Sequence, residues 1–299
     1  MQETHTCTST QLITSWISLE SYVMIDSNLV IIKMGGSVVT FKDKPLMPNM
    51  EGIEGIAKVL LELRKEFKII LVHGGGSFGH YWSVKYNMHT KPFPYSDEGI
   101  AVVHESMIKL NHVIVDKFIR LDLRPYTIQP SSFMSKGNGD VNKIKQLTEI
   151  SAGNDLIPIT FGDVIHTTEN NFSILSGDTI MSLLSTTLHP RYCIFTTNVD
   201  GLYEDLDKKD LVPEIHLNEK GEIVGSKSKT KSKIVSSSSA YDVTGGMKRK
   251  ISEAIPIVIS GSPVHLISGF KPERILDIVN NRDYVGTCIN LKSTSQLVG

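Results

Sequence analysis

The chain has 299 residues, 40% hydrophobic and 21% charged, with 31 basic residues against 32 acidic ones. That balance leaves room for an ordinary core and argues against nucleic acid as the main partner, since binding a phosphate backbone needs a basic field. Three scattered cysteines (Cys7, Cys193, Cys288) exclude a zinc ribbon or disulfide framework and fit a reducing cytoplasm, and no apolar run approaches the ~18 residues of a membrane span.

The first 28 residues lack a basic segment followed by a continuous apolar one, so they make a poor signal peptide. Met24 lies just before the first strong strand and is the expected translation start. Residues 1–28 are expected to form a disordered extension. Leu29–Met34 is a β-rich apolar run ended by Gly35-Gly36. "MEGIEGIAKVLLELRKEF" (50–67) places Ile53, Ile56, Val59, Leu60 and Leu63 on one helical face. Ile69–Val72 is a second strand, and residues 98–122 read as a helix. "PYTIQPSS" (125–132) reads as a short strand, as do Leu156–Phe161 and Tyr192–Thr197, with a helix at 178–188 between the last two. Near the end, the apolar run "IPIVIS" (255–260) precedes a final helix around 271–280. This alternation predicts an α/β fold with a mostly parallel sheet covered on both faces. Ligands in such sheets collect beyond the carboxyl ends of the strands. The Ser- and Lys-rich stretch 219–242 predicts an exposed hairpin or mobile loop bordering a site, and 135–150 is an insertion of open course.

Three glycine turns share one design: "KMGGS" (33–37), "HGGGSFGH" (73–80) and "DVTGGMKRK" (242–250). Bare backbone lets N–H groups turn inward, and a helix starting just afterwards adds its positive end, so each turn is a candidate anion cradle. One turn alone is often mere geometry. Three, two of them with lysines, point to a ligand carrying several phosphates. "GGGSFG" (74–79) also satisfies the dinucleotide fingerprint, with Asp97 and Glu98 as ribose-binding candidates, but that reading leaves Lys33 and the other turns without a role. A P-loop is excluded, because G-x-x-x-x-G-K-[ST] does not occur.

"KMGGS", "SGD" (176–178), "TTNVDGLY" (196–203) and "TGGMKRK" (244–250) together resemble the amino acid kinase family over roughly residues 29–290. The resemblance implies an open αβα sandwich, with an acceptor lobe at about 29–170, a nucleotide lobe at about 171–290 and a C-terminal tail at 291–299. Within the family, "HGGGSFGH", with its closing histidine, "IQPSS" and "DVTGGM" resemble the isopentenyl phosphate kinase branch. The implied activity is ATP-dependent phosphorylation of isopentenyl phosphate to the diphosphate in isoprenoid synthesis, by a cytoplasmic homodimer using Mg²⁺. Fosfomycin kinases are similar at His80, and a phosphonate kinase or a regulatory ATP-binding module that has lost catalysis are the alternatives.

The resemblance also assigns roles. Lys33 sits where β- and γ-phosphates meet, Lys42 stabilises the transition state, and Lys250 reaches the phosphates from the nucleotide lobe. Asp178 holds the lysines, since close cations repel without a counter-charge. Gly35, Gly36, Ser37, Gly76 and Gly246 line the nucleotide phosphates, while Gly75, His80 and Gly162 bind the acceptor. No protein cage for a metal is implied, because Mg²⁺ bridges the nucleotide's own phosphates. His73, at a strand end, is expected to be a packed structural residue. Tyr81, Trp82, Tyr86, Met88, Phe93 and Ile100 are candidates for an apolar tail pocket or for ordinary core. Lys208, Lys209 and the 227–233 run read as solvated surface.

Overall fold

The computed structural model describes residues 25–89, 94–135, 138–152, 155–167, 171–203, 210–227 and 245–292, excluding the side chains of 27, 135, 138, 171, 226, 227 and 245–251. The expectations for residues 1–23, Phe93, Lys208, Lys209 and most of 219–242 therefore lie outside the described residues.

The chain opens with β1 (Asp26–Met34), α1 (Gly36–Val39), α2 (Met50–Leu63), β2 (Lys68–His73), α3 (Gly76–Lys85) and α4 (Asp97–Arg120). There follow β3 (Pro125–Thr127), α5 (Pro130–Phe133), the small pair β4 (Met134–Ser135) and β5 (Asn138–Gly139), then α6 (Val141–Ser151). Next come β6 (Ile157–Phe161), the hairpin β7 (Asp163–Thr167) and β8 (Asn171–Leu175), α7 (Gly177–Leu188) and β9 (Pro190–Thr197). The last part holds β10 (Leu202–Tyr203), β11 (Leu211–Val212), β12 (Glu214–Leu217), β13 (Ile223–Lys227), α8 (Gly245–Ile259), β14 (Val264–Ser268), α9 (Arg274–Val279) and β15 (Thr287–Leu291).

Among the described residues, nine strands form one sheet in the order β13-β12-β15-β14-β9-β1-β2-β6-β3. From β14 through β3 every pairing is parallel, while β15 runs antiparallel to β14 and β13 to β12. The predicted parallel-rich α/β sheet is therefore what forms.

The period-two alternation of a strand divides its side chains between two cores. Val30, Ile32 and Met34 of β1 enter one, packed with Ile53, Ile56 and Leu60 of α2, Leu110, Ile114 and Phe118 of α4, and Ile275 of α9. Leu29 and Ile31 enter the other, with Ile180, Met181 and Leu184 of α7 and Ala254, Ile257 and Val258 of α8. Each of these large aliphatic side chains stabilises the fold by roughly 1.5–3 kcal/mol on burial. The caps fix where the covering helices begin. Asn49 Oδ1 accepts from the Gly52 N–H at 3.2 Å, and Ser96 Oγ accepts from the Gly99 N–H at 3.1 Å.

Several expectations are corrected. β1 begins at Asp26, so residues 26–28 join the sheet rather than the expected extension, and Leu291 of the expected tail closes β15. "PYTIQPSS" is a strand only to Thr127, after which Pro130 opens α5 as an N-terminal helix proline. "IPIVIS" supplies the end of α8, and the neighbouring strand is Val264–Ser268. Asp97 and Glu98 occupy the first turn of α4, where carboxylates favour the helix dipole, and Glu98 Oε1 accepts from Tyr86 Oη at 2.9 Å. The dinucleotide fingerprint thus loses its ribose ligands.

Candidate active site

The parity of β1 decides the site. Lys33 follows Leu29 and Ile31 in the odd row, so it emerges on the α7 face at the carboxyl end of the strand. There it is 6% exposed, and its Nζ meets Asp178 Oδ1 at 2.6 Å. Asp178 stands in the first turn of α7, whose N-terminus is fixed by Ser176 Oγ accepting the Thr179 N–H at 3.1 Å. Thr179 Oγ1 in turn donates to Glu253 of α8 at 3.2 Å. The predicted lysine and its predicted counter-charge are brought together.

The turns after β1 and β2 pack backbone against backbone. A Cβ on Gly36 would lie 2.4 Å from the Gly76 nitrogen. Gly76 itself has φ +48°, and its Cβ would lie 2.0 Å from Thr40 Oγ1. Thr40 joins the two turns, donating to the Gly36 carbonyl at 2.8 Å and accepting from the Ser77 N–H at 2.8 Å. Gly35 and Gly75 give their helices no side-chain cap, and at the start of α3 it is Thr40 that takes the Ser77 N–H. These two glycine-led helix starts beside the Lys33 ammonium make a candidate anion-binding corner.

The "TTNVDGLY" segment braces this corner from β9. Thr196 Oγ1 donates to the Lys33 carbonyl at 2.9 Å and accepts from the Gly35 N–H at 3.3 Å. Ser37 Oγ reaches Asn198 Oδ1 at 3.3 Å. Within the same motif, Asp200 pairs with Arg274 of α9.

His80 lies one helical turn along α3 from Gly76 and is exposed. Lys42 is exposed in the loop closed by the Thr40–Pro48 bridge, on the wall of a cleft of about 510 Å³ shared with Ser37, Asn198 and Phe270. Gly162 gives its N–H to the His73 carbonyl at 3.1 Å, so a ligand would have to compete for that hydrogen. Gly246 and Lys250 lie in the first turns of α8, with the Lys250 side chain outside the described residues. His73 is fully buried, stacked on Phe161 at 5.1 Å, with Nε2 3.3 Å from Asn111 Oδ1. Burial drives its pKa down to about 4, so the ring stays neutral, as a structural residue should.

Sequence reading singled out neither His104 nor Asp163. His104 Nδ1 lies 2.8 Å from the buried Asp163 carboxylate, which also accepts from the Val164 N–H at 2.7 Å. The available signal was the position of Asp163, directly after Gly162.

Residues 28–268 match the amino acid kinase family. The chain belongs to the amino acid kinase family. Relatives within it include an isopentenyl phosphate kinase of Thermoplasma acidophilum, 32% identical over 266 residues, covering 87% of this chain and 100% of that one. Another isopentenyl phosphate kinase, from Methanocaldococcus jannaschii, is 32% identical over 236 residues, covering 75% of this chain and 85% of that one. The solved product complex of the T. acidophilum isopentenyl phosphate kinase superposes with a TM-score of 0.70 at 27% identity, over 88% of this chain and 100% of that one. The open sandwich is accordingly the amino acid kinase fold, and the chain is a phosphotransferase of that family.

Proposed function

We propose that this amino acid kinase transfers the γ-phosphoryl group of ATP to isopentenyl phosphate, giving isopentenyl diphosphate and ADP. The observation that carries this reading is the likeness to isopentenyl phosphate kinases along 87% of the chain.

The chemistry is an electrostatic problem. Two anions must approach, and charge spreads over the transferring oxygens. No general base is required, because a phosphate monoester with a second pKa near ~6 is already deprotonated at neutral pH. Positioning and positive charge therefore do the catalysis. Lys33 supplies a fixed ammonium at the end of β1, and Asp178 offsets its burial and directs it. The glycine turns that lead into α1 and α3 would bind phosphate oxygens from two sides. Lys42 would approach from its exposed loop to neutralise charge that develops during transfer. His80 would hold the acceptor phosphate for in-line attack, with Gly75 and Gly162 beside it, while Gly246 and Lys250 would meet the nucleotide from α8.

Mg²⁺ fits as a passenger on the nucleotide. Among the described residues no three His, Cys, Asp or Glu side chains gather to cage a metal, and Asp178 is engaged by Lys33. Carried by the nucleotide, Mg²⁺ would supply positive charge against its phosphates. The tail of the acceptor would meet the small apolar cluster of Met88, Val103 and Val164, bordered by Trp82, Tyr86 and Ile100. The division into acceptor and nucleotide lobes near residue 170, a homodimeric state and a cytoplasmic location belong to the same reading. No helix among the described residues is long and apolar enough to cross a membrane.

ADP release with Mg-ATP against isopentenyl phosphate, dimethylallyl phosphate, fosfomycin, UMP and acetylglutamate tests the assignment. Fast turnover confined to isopentenyl phosphate and its isomer is expected. Activity on fosfomycin alone would make the enzyme a phosphonate kinase, and ATP binding without turnover on any acceptor would make it a regulatory module.

A further inference from the structure

The pair formed by His104 and Asp163 has no part in the scheme above, yet it stands at the acceptor corner. Residues 104, 107 and 111 share one face of α4, at spacings of one and two turns. Asn111 touches His73 at the end of β2. Met107 Sδ lies where a Cβ on Gly75 or Gly79 would meet it, at 3.0 and 3.3 Å. His104 continues that line to Asp163, the residue after Gly162. The α4 face therefore runs from His73 past Gly75 to Asp163, the residue beside Gly162. Val103 and Val164, the chain neighbours of His104 and Asp163, both belong to the small apolar cluster. The imidazole thus lies where the phosphate-binding backbone gives way to apolar wall.

The environment of the pair is asymmetric. The Asp163 side chain is 1% exposed and the His104 side chain 38%. A carboxylate so buried needs a cation or several donors, and it fixes Nδ1–H toward itself. That leaves Nε2 as the free, partly open nitrogen of an oriented ring, the arrangement in which a carboxylate sets a histidine's tautomer for a ligand on its far side.

We infer that His104, held by Asp163, is a second imidazole ligand of the acceptor phosphate, complementing His80 from the α4 side. The inference rests on the acceptor reading proposed above and adds a residue to it. Asp163 is a positioning residue, acting through His104. An acceptor with a phosphate at one end and a short apolar chain at the other fits a donor placed at that junction.

His104→Ala alone would leave Asp163 buried and unpaired, and the protein could fail to fold. The test therefore uses the neutral pair His104→Gln/Asp163→Asn in the full chain, with folding verified by thermal melting. The Michaelis constant for isopentenyl phosphate should rise on the order of 10-fold or more, the scale of a hydrogen bond to a charged group, with that for ATP unchanged. Asp163→Asn alone should give a smaller rise in the same direction. An unchanged acceptor constant in the folded double variant would overturn the inference. Independently, the His104 Nε2 nitrogen resonance of the wild-type protein should move when isopentenyl phosphate or inorganic phosphate is added. A resonance that stays put while that of His80 moves would also overturn it. If the wild-type protein binds phosphate in this experiment but does not turn over isopentenyl phosphate, the substrate assignment fails and the His104 inference stands.

Discussion

Lys33 and Asp178, separated by 145 positions in sequence, meet at 2.6 Å where the end of β1 faces the start of α7. Both side chains are largely buried, at 7% and 16% exposure. Removing one partner of such a pair strands a charge. Asp178→Ala should therefore destabilise the fold by about 3 kcal/mol, read as a lower urea midpoint. Adding Lys33→Met should restore most of that stability while leaving the enzyme inactive. A double variant no more stable than the single one would mean that the ion pair is not the source of the loss.

Lys42 is exposed and has no hydrogen bond or ion pair among the described residues, so its removal isolates a chemical role. Lys42→Ala should lower turnover about 100-fold or more, the scale of losing one preorganised transition-state contact. ATP affinity, measured by calorimetry, should stay the same. Unchanged turnover would remove Lys42 from the mechanism.

His80→Ala should weaken use of the phosphate acceptor by roughly 10-fold or more, leaving ATP binding intact. Steady-state kinetics with each substrate varied in turn makes the distinction. Equal losses for both substrates would identify His80 as a structural residue of α3.

Gly76 combines a positive φ with a Cβ position that Thr40 already occupies. Gly76→Ala should cost roughly 1–3 kcal/mol in stability and weaken binding of both phosphate ligands, since the α1 and α3 turns would be forced apart. A variant with wild-type melting temperature and wild-type affinities would show that the turns do not need this contact.

The pH dependence of stability follows from buried neutral imidazoles. Burial lowers His73 and His265 from 6.5 to about 4. Above the unfolded value neither ring carries a proton in either state, and no penalty exists. As pH falls from 6.5 toward 4, the unfolded chain takes up protons that the folded chain refuses, so stability drops. Each ring should contribute a slope of up to about 1.4 kcal/mol per pH unit in that window. Urea titrations at intervals of pH should show the decline, and His265→Phe should make it shallower.

Much of this was legible in the sequence, for identifiable reasons. β1, β2, α2, α4 and α7 carry long, regular apolar patterns, and the glycine turns announce themselves by composition. Lys33 and Asp178 were readable as partners through the resemblance of "KMGGS" and "SGD" to the amino acid kinase family, with close cations requiring a counter-charge. "IPIVIS" was not legible as a helix end, since a short apolar run rich in isoleucine has no diagnostic period and Pro256 sits inside it. The strand Val264–Ser268 was hidden for a related reason: its five residues include His265, and only the sheet around it explains a buried histidine there. His104 and Asp163 lie 59 positions apart and only the packing of α4 on β7 joins them.

The alternation that sends Leu29 and Ile31 to one side of the sheet and Val30 and Ile32 to the other also aims Lys33. Deleting a single residue from β1 would turn the ammonium into the core beneath α2 and α4 and set a neighbouring apolar side chain opposite Asp178. Deleting two would restore the facing at the cost of a shorter strand. Length changes in β1 during descent should therefore survive only in even steps, because the strand's pleat is at once its folding code and the aiming device of its chemistry.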